Sequence, residues 1–432
     1  MVGGSHFLRE RPASLFSERS DVTSSPTDTG QDIAPARYPA HVISSDAEAI
    51  QVARAFAEHA AKDAALRDRK RLLPWAELER FTASGLGSIS IPKVYGGPGV
   101  SNATIAEVFR IICTADPALG QIPQNHFGVI SVLIHAADED QKRRLFQSVL
   151  DGARIGNAGP ERGTRHTLEI NARAIRKGDG SYRVSGAKFY STGALFAHWI
   201  TAKAVDDDGN VVMAFIPRGT SGLRIIDDWS GIGQRTTASG TVLLNDVPVA
   251  AENIVQSGQL AGRPSLQGSF SQLIQAAIDA GIAHAAVADT IDFVRQRSRP
   301  WADAAVNEAR LEPYIIAEVG KLKLELHAAE ALLDRAARTL DAINAGPLDD
   351  DAAARASIAV AEAKVLTTEI ALLASEKLFE LAGSRATLAE FNLDRHWRNA
   401  RTHTLHDPVR WKVHAVGHYH LNGVRPARHS WI

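Results

Sequence analysis

Three long Ala/Leu-rich stretches, residues 270–298, 311–344 and 350–382, run almost without helix breakers, and Asn344-Ala345-Gly346-Pro347 separates the second from the third. Helices of this length bury their apolar stripes by packing on one another, so the spacing predicts an antiparallel bundle. Two shorter helices, 388–402 and 408–421, are expected to complete it. Upstream the period changes. Residues 167–176 and 181–191 read as strands around Lys177-Gly178-Asp179-Gly180, residues 199–205 and 211–216 flank Asp206-Asp207-Asp208-Gly209-Asn210, and 241–249 is a further strand. Short strands so closely spaced predict a compact antiparallel unit, a barrel or a sandwich. Residues 43–150 are mostly helical. Ser45 and Glu48 have capping-box spacing ahead of Ile50, Ala53, Ala57 and Ala60, residues 103–113 and 138–150 read similarly, and Gly96-Gly97-Pro98-Gly99 marks a loop. The expected fold is α+β, mostly α: a flexible N-terminal tail (1–42), an N-terminal helical domain (43–152), a central antiparallel β domain (153–256) and a C-terminal helical bundle (257–432).

Composition narrows the function. A formal net charge of −1 over 432 residues leaves no basic stripe for nucleic acid. No run of about 18 uncharged apolar residues could span a membrane, and the first residues lack the apolar core of a signal peptide. The single cysteine, Cys113, precludes an internal disulfide and reads as a small buried hydrophobe, which fits a reducing, cytoplasmic location.

The densest chemistry lies in Arg395–Pro408, RHWRNARTHTLHDP, where arginines, histidines and a carboxylate interleave with a tryptophan. Arginine holds phosphate or carboxylate as a rigid fork, and histidine moves protons near neutral pH. The segment therefore reads as a pocket for an anionic ligand beside proton chemistry, or as a polar interface between helices or subunits. His403 and His406 sit three apart, but no third ligand is suitably spaced, so no metal is expected. His414, His418 and His420 read as a polar helix face.

Three markers in order, Gly85-Leu86 with Ile91-Pro92 and Tyr95-Gly96-Gly97-Pro98-Gly99, then Lys188-Phe189-Tyr190-Ser191-Thr192-Gly193-Ala194, then Gly231 through Pro248, carry a resemblance. Over residues 45–432 the chain resembles the acyl-CoA dehydrogenase superfamily. Asp228-Trp229, Arg299-Pro300-Trp301, Phe391–Arg401 and Arg401–Pro408 are similar to its flavin-dependent monooxygenase branch, which includes dibenzothiophene monooxygenase and the oxidoreductases of sulfone and sulfur acquisition, the latter looking nearest. Two departures from the dehydrogenases stand out. Asp407, followed by Pro408, occupies the place where many dehydrogenases carry a Glu base before Gly-Thr. Ala382-Gly383-Ser384-Arg385 replaces the Gly-Gly-X-Gly segment of FAD-binding members, and Arg295-Gln296-Arg297-Ser298-Arg299 replaces Arg-X-Gln-Phe-Gly. A cation there suits a terminal phosphate, so FMN is expected, with FAD as the alternative.

The resemblance implies a two-component monooxygenase. Reduced FMN from a separate flavin reductase would react with O2 to give a peroxide at flavin C4a, which oxygenates a small organosulfur compound in sulfur acquisition. The protein's part is to orient and desolvate. His406 and Asp407 match the active-site pair, His126 a second histidine, and Asn157 a ligand of flavin or peroxide. Tyr190, Ser191 and Thr192 lie on the flavin-facing strand, Trp229 offers a wall, Ser239 bonds ring or phosphate, and Arg299 and Arg385 grip phosphate from different subunits. The read-outs without the resemblance are a core tryptophan, hydroxyls satisfying strand ends, and arginines paired with acids at an interface. A homotetramer is implied, with a dimer as the minimal unit. The alternative functions are an FAD-dependent acyl-CoA dehydrogenase with Asp407 as base, and a flavin-binding scaffold without chemistry.

Overall fold

A computed structural model describes residues 40–429 and 431–432. The expected tail falls almost wholly on residues 1–39, outside the described residues. The first helical layer comprises α1 (Asp46–Ala61), α2 (Ala64–Lys70), α3 (Trp75–Ala83), α4 (Asn102–Ala115), α5 (Pro117–Gln121), α6 (Gln124–Ala136) and α7 (Glu139–Leu150). At the start of α1, Ser45 Oγ accepts from the Glu48 N–H at 3.2 Å. The Glu48 carboxylate reaches past it to the Ser44 N–H at 2.7 Å, so the reciprocal half of the predicted capping box falls one residue earlier.

Eight strands follow: β1 (Ile155–Ala158), β2 (Arg173–Arg176), β3 (Tyr182–Lys188), β4 (Trp199–Asp206), β5 (Val211–Pro217), β6 (Leu223–Ile226), β7 (Thr241–Val249) and β8 (Ile254–Val255). They form one sheet in the order β6-β7-β3-β2-β4-β5-β8, with β1 on β4. Most pairings are antiparallel, as expected, but β1 and β2 both run parallel to β4, so the sheet is mixed. The hairpin signals mark real turns: Lys177 N–H donates to Ser181 O at 2.8 Å, and Asp206 N–H to Asn210 O at 2.9 Å. Strands β1, β6 and β8 escaped the sequence reading because four residues or fewer show no alternation.

The bundle holds α8 (Gln267–Gln296), α9 (Pro313–Asn344), α10 (Asp350–Ala382), α11 (Asp394–His403) and α12 (Arg410–Asn422). α8 and α10 are apolar on nearly every face and lie at its centre, whereas α9 buries one stripe, Leu322, Leu326, Ala329, Leu333 and Leu340. Successive long helices are antiparallel, so α8 and α10 run side by side in the same direction. Lys364 meets Asp279 near mid-helix, and Ser298 Oγ donates to Ala382 O at 2.9 Å beyond the ends. α11 starts at Asp394 rather than 388 because Asn392 turns left-handed (φ 50°) and its amide donates to Ala65 O and Asp68 Oδ2, both at 3.0 Å. One continuous core joins α4 of the first layer to α8 of the bundle. A Cβ on Gly281 would lie 2.7 Å from Arg110 O, which is how closely these two helices approach. Cys113 is fully buried at this junction, and burial pushes its thiol pKa well up, as befits a packing residue.

Candidate active site

The strand end 188–193 is pinned from below. Lys188 Nζ donates to Glu161 Oε1 at 2.6 Å and to Gly159 O at 3.2 Å, and both charged side chains are buried. Beyond it Tyr190 adopts a left-handed conformation (φ 56°), which is costly for a non-glycine residue, and turns its ring outward to 6.2 Å from Trp229. Asn157 Nδ2 donates to Tyr190 O at 3.4 Å, and the Asn157 N–H to Thr192 O at 3.2 Å. Thr192 Oγ1 and Ser239 Oγ share a hydrogen bond of 2.7 Å, and Thr237 Oγ1 bonds Ser239 at the same distance. Ser191 Oγ is buried with no hydrogen-bond partner among the described residues. The structure thus gathers Asn157, Tyr190, Ser191, Thr192, Trp229 and Ser239 into one cradle with an orphaned hydroxyl, the kind of donor that a flavin's carbonyls and ring nitrogens would satisfy.

The loop before β7 fastens the cradle to the bundle. Trp229 Nε1 donates to Gln234 O at 2.9 Å, Gly233 N–H to Thr402 Oγ1 at 3.1 Å, and Gln234 N–H to Asn399 Oδ1 at 2.6 Å. A Cβ on Gly233 would meet Arg398 O at 1.9 Å, so only glycine permits this approach to α11. On the other side, a Cβ at Gly193 would lie 3.1 Å from Ile122 O, which sets the cradle beside Gln121 at the end of α5. Gln121 Nε2 is 3.1 Å from His406 Nε2, and His406 Nδ1 donates to His403 O at 2.7 Å. His406 is open on its outer face; its packed face lowers its pKa to about 4.

Other predicted site residues lie differently. Asp407 does not orient His406. It is buried and pairs with Lys412 Nζ at 2.7 Å, while Lys412 also donates to Trp431 O at 2.7 Å. Consecutive residues after a helix end point in different directions, and the nearest cation captured the carboxylate. His126 has no nitrogen left for a ligand: the Ile155 N–H donates to its Nδ1 at 3.0 Å, and its Nε2 donates to Gly87 O at 2.8 Å. It splices α6 to β1 and the loop after α3. Arg299 is exposed and makes no hydrogen bond or ion pair to a described residue, and Arg385 lies 5.8 Å above the Phe391 ring. Both sit at the far end of α8 and α10. The span of α8 from Asp279, beside His403, to Gln296 is about 26 Å at about 1.5 Å per residue.

Three residues that the sequence reading missed complete the histidine cluster. His403 Nδ1 is 2.5 Å from Asp279 Oδ1, Lys364 Nζ donates to Asp279 Oδ2 at 2.5 Å, and His403 Nε2 is 3.1 Å from Gln121 Oε1. The available signal was a lone carboxylate in the apolar run QAAIDAGIAHAA and a lone lysine in AVAEAKVL, each on a buried helix face.

Burial holds the His126 pKa at about 4, against an ordinary 6.5. Protonation therefore favours the unfolded chain as pH falls through about 6.5, and up to about 3 kcal/mol of stability is lost by about pH 4. Urea midpoints measured between about pH 7 and pH 4 should fall in the wild type, and His126→Asn should flatten that part of the slope.

Two helical layers thus clasp a mixed sheet, and polar side chains gather where sheet meets bundle, the build of the acyl-CoA dehydrogenase fold. Residues 45–153 match the N-terminal domain of acyl-CoA dehydrogenase and residues 273–411 its C-terminal domain. The chain is 32% identical over 397 residues to the dibenzothiophene monooxygenase of Rhodococcus erythropolis, covering 88% of this chain and 95% of that protein. It is 32% identical over 386 residues to the probable FMNH2-dependent monooxygenase SfnC of Pseudomonas putida, covering 88% and 96%. The crystal structure of FMN-bound TdsC from Paenibacillus sp. A11-2 superposes with a TM-score of 0.84 at 32% identity, covering 89% of this chain and 100% of that one. The chain belongs to the acyl-CoA dehydrogenase family, and these relatives place it among the family's monooxygenases rather than its dehydrogenases. Among the described residues no helix is long and apolar enough to cross a membrane.

Proposed function

We propose that this protein oxygenates a small organosulfur compound with reduced FMN delivered by a separate flavin reductase. Reduced FMN, when bound, supplies two electrons to O2, one oxygen atom going to sulfur and the other to water. The observation that carries this reading is the fate of Asp407. A desaturating dehydrogenase needs a carboxylate in reach of the substrate's α-proton. Asp407 is buried against Lys412 instead, and the group left open beside the cradle is His406.

The cradle hydroxyls of Ser191, Thr192 and Ser239 would hold the flavin ring, and Trp229 with Tyr190 would exclude water from one side. Arg299 and Arg385 would take the phosphate. An FMN cannot stretch along one α8 from the histidine cluster to these arginines, so a second copy brings them to the cradle. The working form is a homo-oligomer, a tetramer by the family resemblance.

The test combines the protein with a flavin reductase, NADH and air, and follows oxygenation of dibenzothiophene and of small sulfones and sulfinates. Sulfur-oxygenated product is expected. No such product, together with anaerobic bleaching of bound flavin by an acyl-CoA, overturns the reading. Arg385→Ala should weaken FMN binding about 10- to 100-fold, the loss of a charge-assisted hydrogen bond worth about 1.5–3 kcal/mol. Riboflavin, which lacks the phosphate, should bind wild type and variant alike in the same fluorescence titration.

A further inference from the structure

Behind His406 runs a polar chain that cofactor binding does not require. Lys364 Nζ (2.5 Å) and Thr368 Oγ1 (2.9 Å) both donate to Asp279 Oδ2. Asp279 Oδ1 meets His403 Nδ1 at 2.5 Å, His403 Nε2 meets Gln121 Oε1 at 3.1 Å, and Gln121 Nε2 meets His406 Nε2 at 3.1 Å. Lys364, Asp279, His403 and Gln121 are each no more than 1% exposed, whereas His406 opens outward.

The protons in this chain can be counted. His406 Nδ1 faces the His403 carbonyl at 2.7 Å and so carries hydrogen. Asp279, ionised by the Lys364 ammonium, requires hydrogen on His403 Nδ1. With those protons alone, both Nε2 atoms turn lone pairs towards Gln121. A primary amide has one donating end and one accepting end. Its NH2 serves one imidazole, and its oxygen is then left against the lone pair of the other. One additional proton, on whichever Nε2 faces the amide oxygen, removes the conflict. Reversing the amide exchanges the roles of the two imidazoles.

We propose that Gln121 couples His403 and His406 into a relay that passes one mobile proton between buried Asp279 and the open face of His406, with Gln121, His403 and Asp279 as positioning residues. The use of that proton rests on the oxygenase reading; its presence does not. Oxygen transfer from reduced FMN, O2 and a sulfide to oxidised FMN, sulfoxide and water consumes one proton when the reduced flavin binds as its anion. The relay supplies it and refills from solvent through His406.

The surrounding charges leave this proton as the local net charge. Lys364 balances Asp279 and Lys412 balances Asp407, while the nearby Cys113 thiol stays neutral. Burial draws both imidazoles below their ordinary pKa, and the Asp279 carboxylate opposes it at His403, which makes His403 the seat an entering proton prefers.

The test is solid-state NMR of the sedimented, ligand-free protein carrying 15N-histidine, titrated from about pH 8, where both imidazoles are neutral, down to about pH 4. His406→Gln assigns the pair by loss of signal. As the pH falls, the wild-type pair should take up a single proton first, one imidazole then carrying hydrogen on both nitrogens. Gln121→Met should move that uptake to lower pH, and Gln121→Glu, an acceptor at both ends, should move it to higher pH. In the reductase-coupled assay Gln121→Met should lower oxygen transfer by about 10²-fold with hydrogen peroxide released instead, and the FMN dissociation constant should change by less than about twofold. Two protons entering the wild-type pair independently, or an uptake indifferent to Gln121→Met, overturns the relay. A relay seen by NMR in a wild type that transfers no oxygen upholds the proton count and overturns the oxygenase reading alone.

Discussion

Replacing His406 by alanine should lower sulfur oxygenation by about 10²- to 10⁴-fold, the usual range for removing a positioned proton donor. The ring is the open terminus of the buried histidine cluster, tethered by Gln121 at 3.1 Å and by the His403 carbonyl at 2.7 Å. No other cradle side chain is an imidazole: Tyr190, Ser191, Thr192 and Ser239 are hydroxyls, and Asn157 is an amide. Because His406 makes no contact that the sheet cradle depends on, flavin affinity should stay within a few-fold. Oxygen uptake should continue with hydrogen peroxide as the product. The check is sulfoxide and peroxide quantified together in the reductase-coupled assay. Unchanged sulfoxide yield in a folded variant would remove His406 from the chemistry.

Asp279→Ala should destabilise the protein by about 3–5 kcal/mol, the cost of stripping one partner from a buried ion pair. Lys364 is 1% exposed, and its ammonium would lose the carboxylate that compensates its burial. His403 and Thr368 would lose the same partner. The double variant Asp279→Leu/Lys364→Met should recover most of the loss, since a well-packed apolar pair of similar volume removes both charges at once. Denaturant midpoints of the three proteins provide the measurement. A single variant as stable as wild type would mean that Lys364 is satisfied elsewhere.

Some of this architecture is plain in the chain and some is not, and the division follows the range of the forces. α10 spans Asp350–Ala382, as its helical period and the Asn344–Pro347 break predict, and β7 spans Thr241–Val249. The cradle was legible too, because Lys188–Ala194 is contiguous and its backbone turn at Tyr190 is local. Partnerships were not legible. His406 and Asp407 are neighbours in sequence, yet one faces Gln121 and the other Lys412. His126 looked like a site residue and instead bonds Gly87 and Ile155 through both nitrogens.

Residue order by itself determined the helix–sheet–helix succession, the element periods and which side chains could do chemistry, since propensity and periodicity act over a few residues. Only the tertiary structure decided which charges neutralise one another and which remain open. Asp279, Lys364 and Gln121 lie on three separate helices, and desolvation at their packed junction selects partners by proximity and hydrogen-bond geometry rather than by position along the chain.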